Sequence, residues 1–221
     1  MSKQIIVGLI TEGPTDTRFL ESIVRRTFED IAFECSQDID IFVHTLKTSK
    51  VGLSFVDYTM KASNEGVKSL GIMALAVHTD ADRDTYDERI NNKILPAQTA
   101  LNGMNDDYCK LLTPVIPVKM IEAWMLADKE LLKSEIGTSK SDNDLGINRD
   151  PETIADPKSV IEEAIRIATE HLPRRRQKLS ISELYAIIGD TVSITELAKL
   201  DSYRKFQDAV RNTYRTLNYM Q

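Results

Sequence analysis

Apolar residues recur along this chain with two different periods, and the alternation between those periods predicts its architecture. Residues 4–10 form a short β-branched run of strand character, and after a turn Phe19, Leu20, Ile23, Val24, Phe28 and Ile31 recur at helical spacing. The same alternation continues with a strand over 39–46, a helix in 53–63, an apolar strand over 72–77 and a helix across 86–101. Residues 112–118 supply a fourth strand, which Pro114 and Pro117 confine to an edge or irregular position. Residues 120–133 read as one helix, with Ile121, Trp124, Met125, Leu131 and Leu132 on its apolar side. Strands alternating with helices predict an α/β fold built on a mainly parallel sheet with helices on both faces.

The texture changes after residue 136. The stretch GTSKSDNDLGINRDPETIADP is polar and rich in turn formers, which predicts a surface loop or linker over 137–157. Helical segments follow at about 158–171, 181–188, 194–200 and 203–217, with no convincing strand between them. The reading is an α/β domain over 1–136 and a C-terminal helical subdomain or appendage over 158–221, without internal repeats.

Two acidic constellations sit where strands end. EGPTD, from Glu12 to Asp16, follows the first strand, and DAD, from Asp80 to Asp82, follows the third. In an open parallel sheet, ligands bind in the crevice outside the carboxyl ends of the strands, so clusters far apart in sequence converge there. Converging carboxylates repel unless a cation joins them. Mg²⁺ takes oxygen ligands and is commonly held by one or two carboxylates plus substrate phosphates, so the pattern points to a Mg²⁺ or Mn²⁺ phosphoryl-transfer site. Each cluster also has a plainer reading. EGPTD suits a turn and helix start with Thr15 as N-cap, and HTDADRD suits a solvated loop in which Asp84 or Thr85 caps the next helix.

A third element is PVKMIEAWMLAD, which places Glu122 at a helix start immediately after a strand. Glu122 there is either a dipole-complementing acid or a further metal ligand or water-orienting base, and Trp124 suits the core. Lys119, just before it, is positioned to balance the charge of a scissile phosphate or to lie on the surface. His78 near the DAD motif reads first as a packed histidine, while His44 and His171 show no partner pattern. Lys47 and Lys50 follow the second strand toward the same crevice, and Arg174, Arg175, Arg176 and Lys178 form the densest basic run.

Composition narrows the classes. The chain has 221 residues and a formal net charge of −6, so it lacks the global basic footprint of many nucleic-acid binders, although a local basic patch is compatible with that. Its two cysteines, Cys35 and Cys109, form no CxxC pair, which indicates neither a disulfide framework nor a zinc site and suits a reducing cytoplasm. No apolar run is long enough to span a membrane, and the N-terminal stretch reads as a strand and polar turn rather than a signal peptide.

The EGxTD turn after the first strand, the DxD after a later one and the EAWxLAD segment together resemble a Toprim-like family of bacterial domains, numbered four-two-seven-six among domains of unknown function. That family is related to the overcoming-lysogenization-defect (OLD) nucleases. DPKSVIEEAI and SYRKFQDAV are also similar to its C-terminal half, so the resemblance covers most of the chain. It implies a Toprim-like fold and metal-dependent cleavage of nucleic-acid phosphodiesters. Glu12, Asp80 and Asp82 match the residues that manage Mg²⁺ and proton transfer, Asp16 matches the second acid of the nuclease-type first motif, and Glu122 matches the family's own EAW motif.

The resemblance further implies a bacterial anti-phage defence setting, nucleic acid as substrate with DNA before RNA, and a separate ABC-type ATPase partner; a homo-oligomer stays open. No GxxxxGK[ST] phosphate loop occurs in the chain, so ATP dependence must come from elsewhere. The expectation is therefore a metal-dependent nuclease or nuclease subunit. Its rivals are a small-molecule phosphohydrolase and a non-catalytic partner-binding module. The DAD pattern is superficially similar to haloacid-dehalogenase phosphatases, but those place a nucleophilic aspartate after the first strand, where this chain has Glu12.

Overall fold

The computed structural model describes residues 3–173 and 178–221. The basic run at Arg174, Arg175 and Arg176 lies outside the described residues. The chain begins with β1 (Lys3–Ile10), α1 (Pro14–Ala32), β2 (Ile39–Thr45), α2 (Phe55–Leu70) and β3 (Ala74–His78). Next come α3 (Tyr86–Arg89) and α4 (Leu95–Asn102), joined through a π-helical turn at Ile90–Ile94, and then β4 (Leu112–Val115). The rest is helical: α5 (Glu122–Met125), α6 (Lys129–Glu135), α7 (Pro157–Thr169), α8 (Ile181–Thr191), α9 (Ile194–Leu197) and α10 (Asp201–Thr216).

The four strands are all parallel, in the order β2-β1-β3-β4. This is the expected α/β architecture, and Pro114 lies on the edge strand β4, where a missing donor is tolerated. Side-chain alternation along β1 divides the interior. Ile5, Val7 and Leu9 face α1 and the C-terminal helices, whereas Ile10 faces the layer containing α2 and α4. The chain leaves β1 toward β2 on one side and leaves β3 toward β4 on the other. The carboxyl ends of β1 and β3, adjacent through Ile10 and Val77, therefore form the topological switch point.

The helical segment after residue 157 shares the core on the α1 face of the sheet. α8 lies so close to α1 that a Cβ on Gly189 would sit 2.4 Å from the Phe19 carbonyl oxygen. Arg26 of α1 caps the end of α8 by donating to the Val192 and Gly189 carbonyls at 2.7 and 2.8 Å. Tyr214 of α10 donates to the Phe28 carbonyl at 2.8 Å, and Tyr203 shares a 2.7 Å hydrogen bond with Thr27.

Three local expectations are corrected. The helix expected over 120–133 is two helices, because Asp128 accepts from the Leu131 N–H at 3.1 Å and starts α6 afresh. α1 is capped by Gly13 rather than Thr15, with proline in the first turn. The helix in 53–63 runs on to Leu70, where Gly71 at φ 65° ends it. Thr85, one of the two expected caps, does start α3 by accepting from the Glu88 N–H at 3.2 Å.

Candidate active site

The site begins with the last residues of β1 and β3. Beyond Ile10 the chain turns at Thr11, whose hydroxyl donates to the Gly13 carbonyl at 2.9 Å and pairs with Thr17 at 2.7 Å. That turn presents Glu12 to solvent and sets Asp16 in the first turn of α1. Beyond His78, the buried Thr79 donates its hydroxyl to Glu12 Oε1 at 2.6 Å. The two acidic motifs, distant in sequence, are thus joined directly.

His78 is buried between two of the acids. Its Nε2 lies 3.2 Å from Asp80 Oδ1, and its Nδ1 lies 3.8 Å from Asp16 Oδ2 with no hydrogen-bond partner among the described residues. Burial pushes the Asp80 carboxyl above its usual value, the His78 hydrogen bond opposes that shift, and the charges of Glu12 and Glu122 reinforce it. Asp16 is likewise raised by burial, with Asp80 and Glu12 adding repulsion against the attraction of His78. Burial alone would lower His78, but its hydrogen bond to Asp80 and the charges of Asp80, Asp16 and Glu12 outweigh that and leave it raised.

Glu122 reaches the same region from the sequence after β4. It is buried at the start of α5 and accepts a short hydrogen bond from the Tyr185 hydroxyl of α8. Burial and that bond raise the Tyr185 phenol, with Asp16 contributing further negative charge. No local signal in the sequence links Tyr185 to Glu122, and His78 reads there as a packed residue. The proximity of His78 to the DAD motif was the one available hint.

Asp82 has an arginine partner of its own. Its Oδ2 accepts from Arg89 Nη2 at 3.0 Å, and the same nitrogen donates to the Ala81 carbonyl at 2.9 Å. Asp82 therefore helps to close its own loop. Among the described residues, no group of three or more His, Cys, Asp or Glu side chains is arranged to hold a metal. Glu12 and Asp80, close enough to repel each other, are all-oxygen donors of the kind that suit a hydrated Mg²⁺ or Mn²⁺ taking further ligands from water and substrate. They do not form an all-protein cage.

A family model described as "Domain of unknown function (DUF4276)" matches residues 11–208. The chain belongs to this family. The DUF4276 match spans Glu12, Asp16, His78, Asp80, Glu122 and Tyr185, so the whole cluster lies within the shared domain. No curated protein and no solved structure matches the chain.

Backbone geometry in this DUF4276 chain adds one more feature. The DAD loop extends the β3–β4 pairing: Thr79, Ala81 and Asp82 donate their N–H groups to Val115, Pro117 and Lys119 at 3.2, 3.0 and 2.9 Å. Asp82 and Lys119 both adopt the left-handed region, at φ 53° and 66°. For non-glycine residues this conformation is uncommon and costs energy, and such residues concentrate at functional loops. The side chain of Lys50 donates to the Glu12 carbonyl, which brings a cation to the crevice. No helix among the described residues is long and apolar enough to cross a membrane.

Proposed function

We propose that this protein is a Mg²⁺- or Mn²⁺-dependent phosphodiesterase, acting as a nuclease or nuclease subunit on nucleic acid. The observation that carries the reading is the hydrogen bond from Thr79 to Glu12, which gathers both acidic motifs at the switch point of a parallel sheet. Glu12 and Asp80 would hold the ion, with Asp16 and Glu122 as further acids of the same centre. When bound, the metal supplies Lewis acidity toward a phosphoryl oxygen and acidifies coordinated water.

The chain's own residues orient and move protons. Thr79 holds one oxygen of Glu12 and leaves the other free to bind or to accept a proton. His78, buried and hydrogen-bonded to Asp80, fixes that carboxylate and keeps a proton beside it. Lys50 offers positive charge to a phosphate entering the acidic crevice, and Lys119 lies in the adjoining loop. Lys50 favours a polyanionic substrate over the non-catalytic alternative. The link to OLD nucleases, the defence setting, the cytoplasmic location and a separate ABC-type ATPase subunit belong to the same proposal.

The test is a cleavage panel of plasmid DNA, linear DNA, RNA and a small phosphate monoester, with Mg²⁺, Mn²⁺ or EDTA, with and without an ATPase encoded beside the protein. Metal-dependent cutting of a nucleic acid supports the proposal. Rapid hydrolysis of the monoester with nucleic acid left intact replaces it with a small-molecule phosphohydrolase.

A further inference from the structure

The outer edge of β2 carries an inference that is independent of the chemistry in the acidic crevice. β2 ends the sheet, so among the described residues no strand pairs with its outer side. In its ladder with β1, Lys3 N–H bonds the Asp38 carbonyl at 3.0 Å and Leu46 N–H bonds the Leu9 carbonyl at 2.9 Å. That phase directs the backbone polar groups of Asp40, Phe42 and His44 toward β1. Those of Ile39, Ile41, Val43 and Thr45 consequently point outward.

Side chains alternate with the same period. Ile39, Ile41 and Val43 are half-buried on the α1 face, while Asp40, Phe42 and His44 are exposed on the other. Phe42, at the midpoint of the strand, is 47% exposed. Charged residues on an edge strand ordinarily discourage indiscriminate pairing. Here the two that flank Phe42, Asp40 and His44, are a carboxylate and an imidazole able to hydrogen-bond it, symmetrically spaced.

We propose that β2 pairs antiparallel with β2 of a second copy of this chain, about a two-fold axis through Phe42. In that register Phe42 faces its symmetry mate, Ile41 faces Val43 and Asp40 faces His44. The outward backbone groups of Ile41 and Val43 bond reciprocally. Phe42 occupies the pair without backbone hydrogen bonds, in which facing side chains approach most closely. The neighbouring symmetric registers lose this match. An axis through Asp40 opposes two carboxylates, one through Ile41 sets Asp40 against Phe42, and one through Val43 sets Phe42 against His44.

A second observation lies along the same margin. On the α1 side of β2 a groove of about 510 Å³ is lined by Glu29, Ala32, Phe33, Cys35, Ile39 and Ile41. Phe33 is 90% exposed there. The two-fold axis runs perpendicular to the sheet and brings the second α1 onto this side, beside the groove. It also turns the two acidic crevices toward opposite ends of the joined sheet, so each works alone.

Sedimentation velocity and light scattering on the full chain test the inference. The wild type is expected to dimerise, and His44→Asp, which opposes two carboxylates at both symmetric positions, to weaken the dimer about tenfold. Adding Asp40→Lys to His44→Asp sets a lysine opposite an aspartate at both symmetric positions and thereby restores the dimer. Ile41→Pro removes an outward N–H without touching the β1 ladder, so it should give a folded monomer by circular dichroism. A wild type that stays monomeric up to hundreds of micromolar overturns the proposal. So does a dimer that His44→Asp leaves unchanged, or one that the double variant fails to restore.

Discussion

The Thr79 hydroxyl donates to Glu12 Oε1 at 2.6 Å, tying the acid that follows β1 to the loop that follows β3. The donor is fully buried while the acceptor residue is exposed, so the threonine acts as a fixed post that orients an exposed carboxylate. Thr79→Val keeps the shape and removes the bond. It is expected to cost about 1–2 kcal/mol in denaturant unfolding and to weaken Mn²⁺ binding by calorimetry, whereas Thr79→Ser stays near wild type. Equal Mn²⁺ affinity in the valine variant would separate Glu12 from the ion.

Tyr185→Phe probes the link between the C-terminal helices and the site. Glu122 is buried, and the phenol of Tyr185 is its hydrogen-bond donor. Removing only that hydroxyl leaves a buried acceptor without its partner, at a cost of about 1–3 kcal/mol in chemical unfolding. A variant as stable as wild type would mean that water takes over the bond and that α8 does not position Glu122.

The two aspartates of the DAD motif should separate by role. Asp82 engages Arg89, whose side chain is only 10% exposed, so Asp82→Asn is expected to lower stability by about 1 kcal/mol while keeping the Mn²⁺-induced rise in melting temperature. Asparagine tolerates the left-handed backbone at this position. Asp80→Asn, in contrast, should abolish the Mn²⁺ shift. Thermal melts with Mn²⁺ or EDTA read both outcomes, and loss of the shift in Asp82→Asn alone would return that residue to the metal site.

How much of this was legible in the chain follows from which signals are local. The strands, the α/β order and the strand-end placement of Glu12 and Asp80 follow from apolar periodicity, because a parallel sheet buried on both faces leaves near-continuous apolar runs. The break between α5 and α6 was hidden because the helical period continues across it, and only the Asp128 cap marks the restart. Asp82 and Asp80 look equivalent in sequence. They differ in their partners, because Asp80 meets His78 whereas Asp82 sits in a left-handed turn and meets the arginine on α3. Tyr185 was invisible, since its tie to Glu122 depends on the packing of α8 across α1 through Gly189.

Acid should release one tie between the ends of the chain. Arg211 of α10 donates to both oxygens of Glu34, at 2.7 Å in the shortest bond, and this pairing holds the Glu34 carboxyl below its usual value. A lowered acid stabilises the fold above its unfolded-state value, and that contribution is lost as pH falls through the folded-state value. Glu34 is 44% exposed, so screening limits the effect to about 0.5 kcal/mol. The stability advantage of wild type over Glu34→Gln should shrink on acidification below about pH 4.5, the ordinary glutamate range. A constant difference from neutral to acidic pH would show that the pair contributes nothing.

The most direct test of the central claim is nucleic-acid cleavage with Mn²⁺ by wild type and Glu12→Gln, in complex with its ATPase if one is required. The substitution preserves size while removing the charge that metal binding or proton transfer needs. A folded Glu12→Gln protein, still held by Thr79, is expected to lose at least about a hundredfold in rate, roughly 2.7 kcal/mol of barrier. Cleavage at the wild-type rate by that folded variant would contradict that claim.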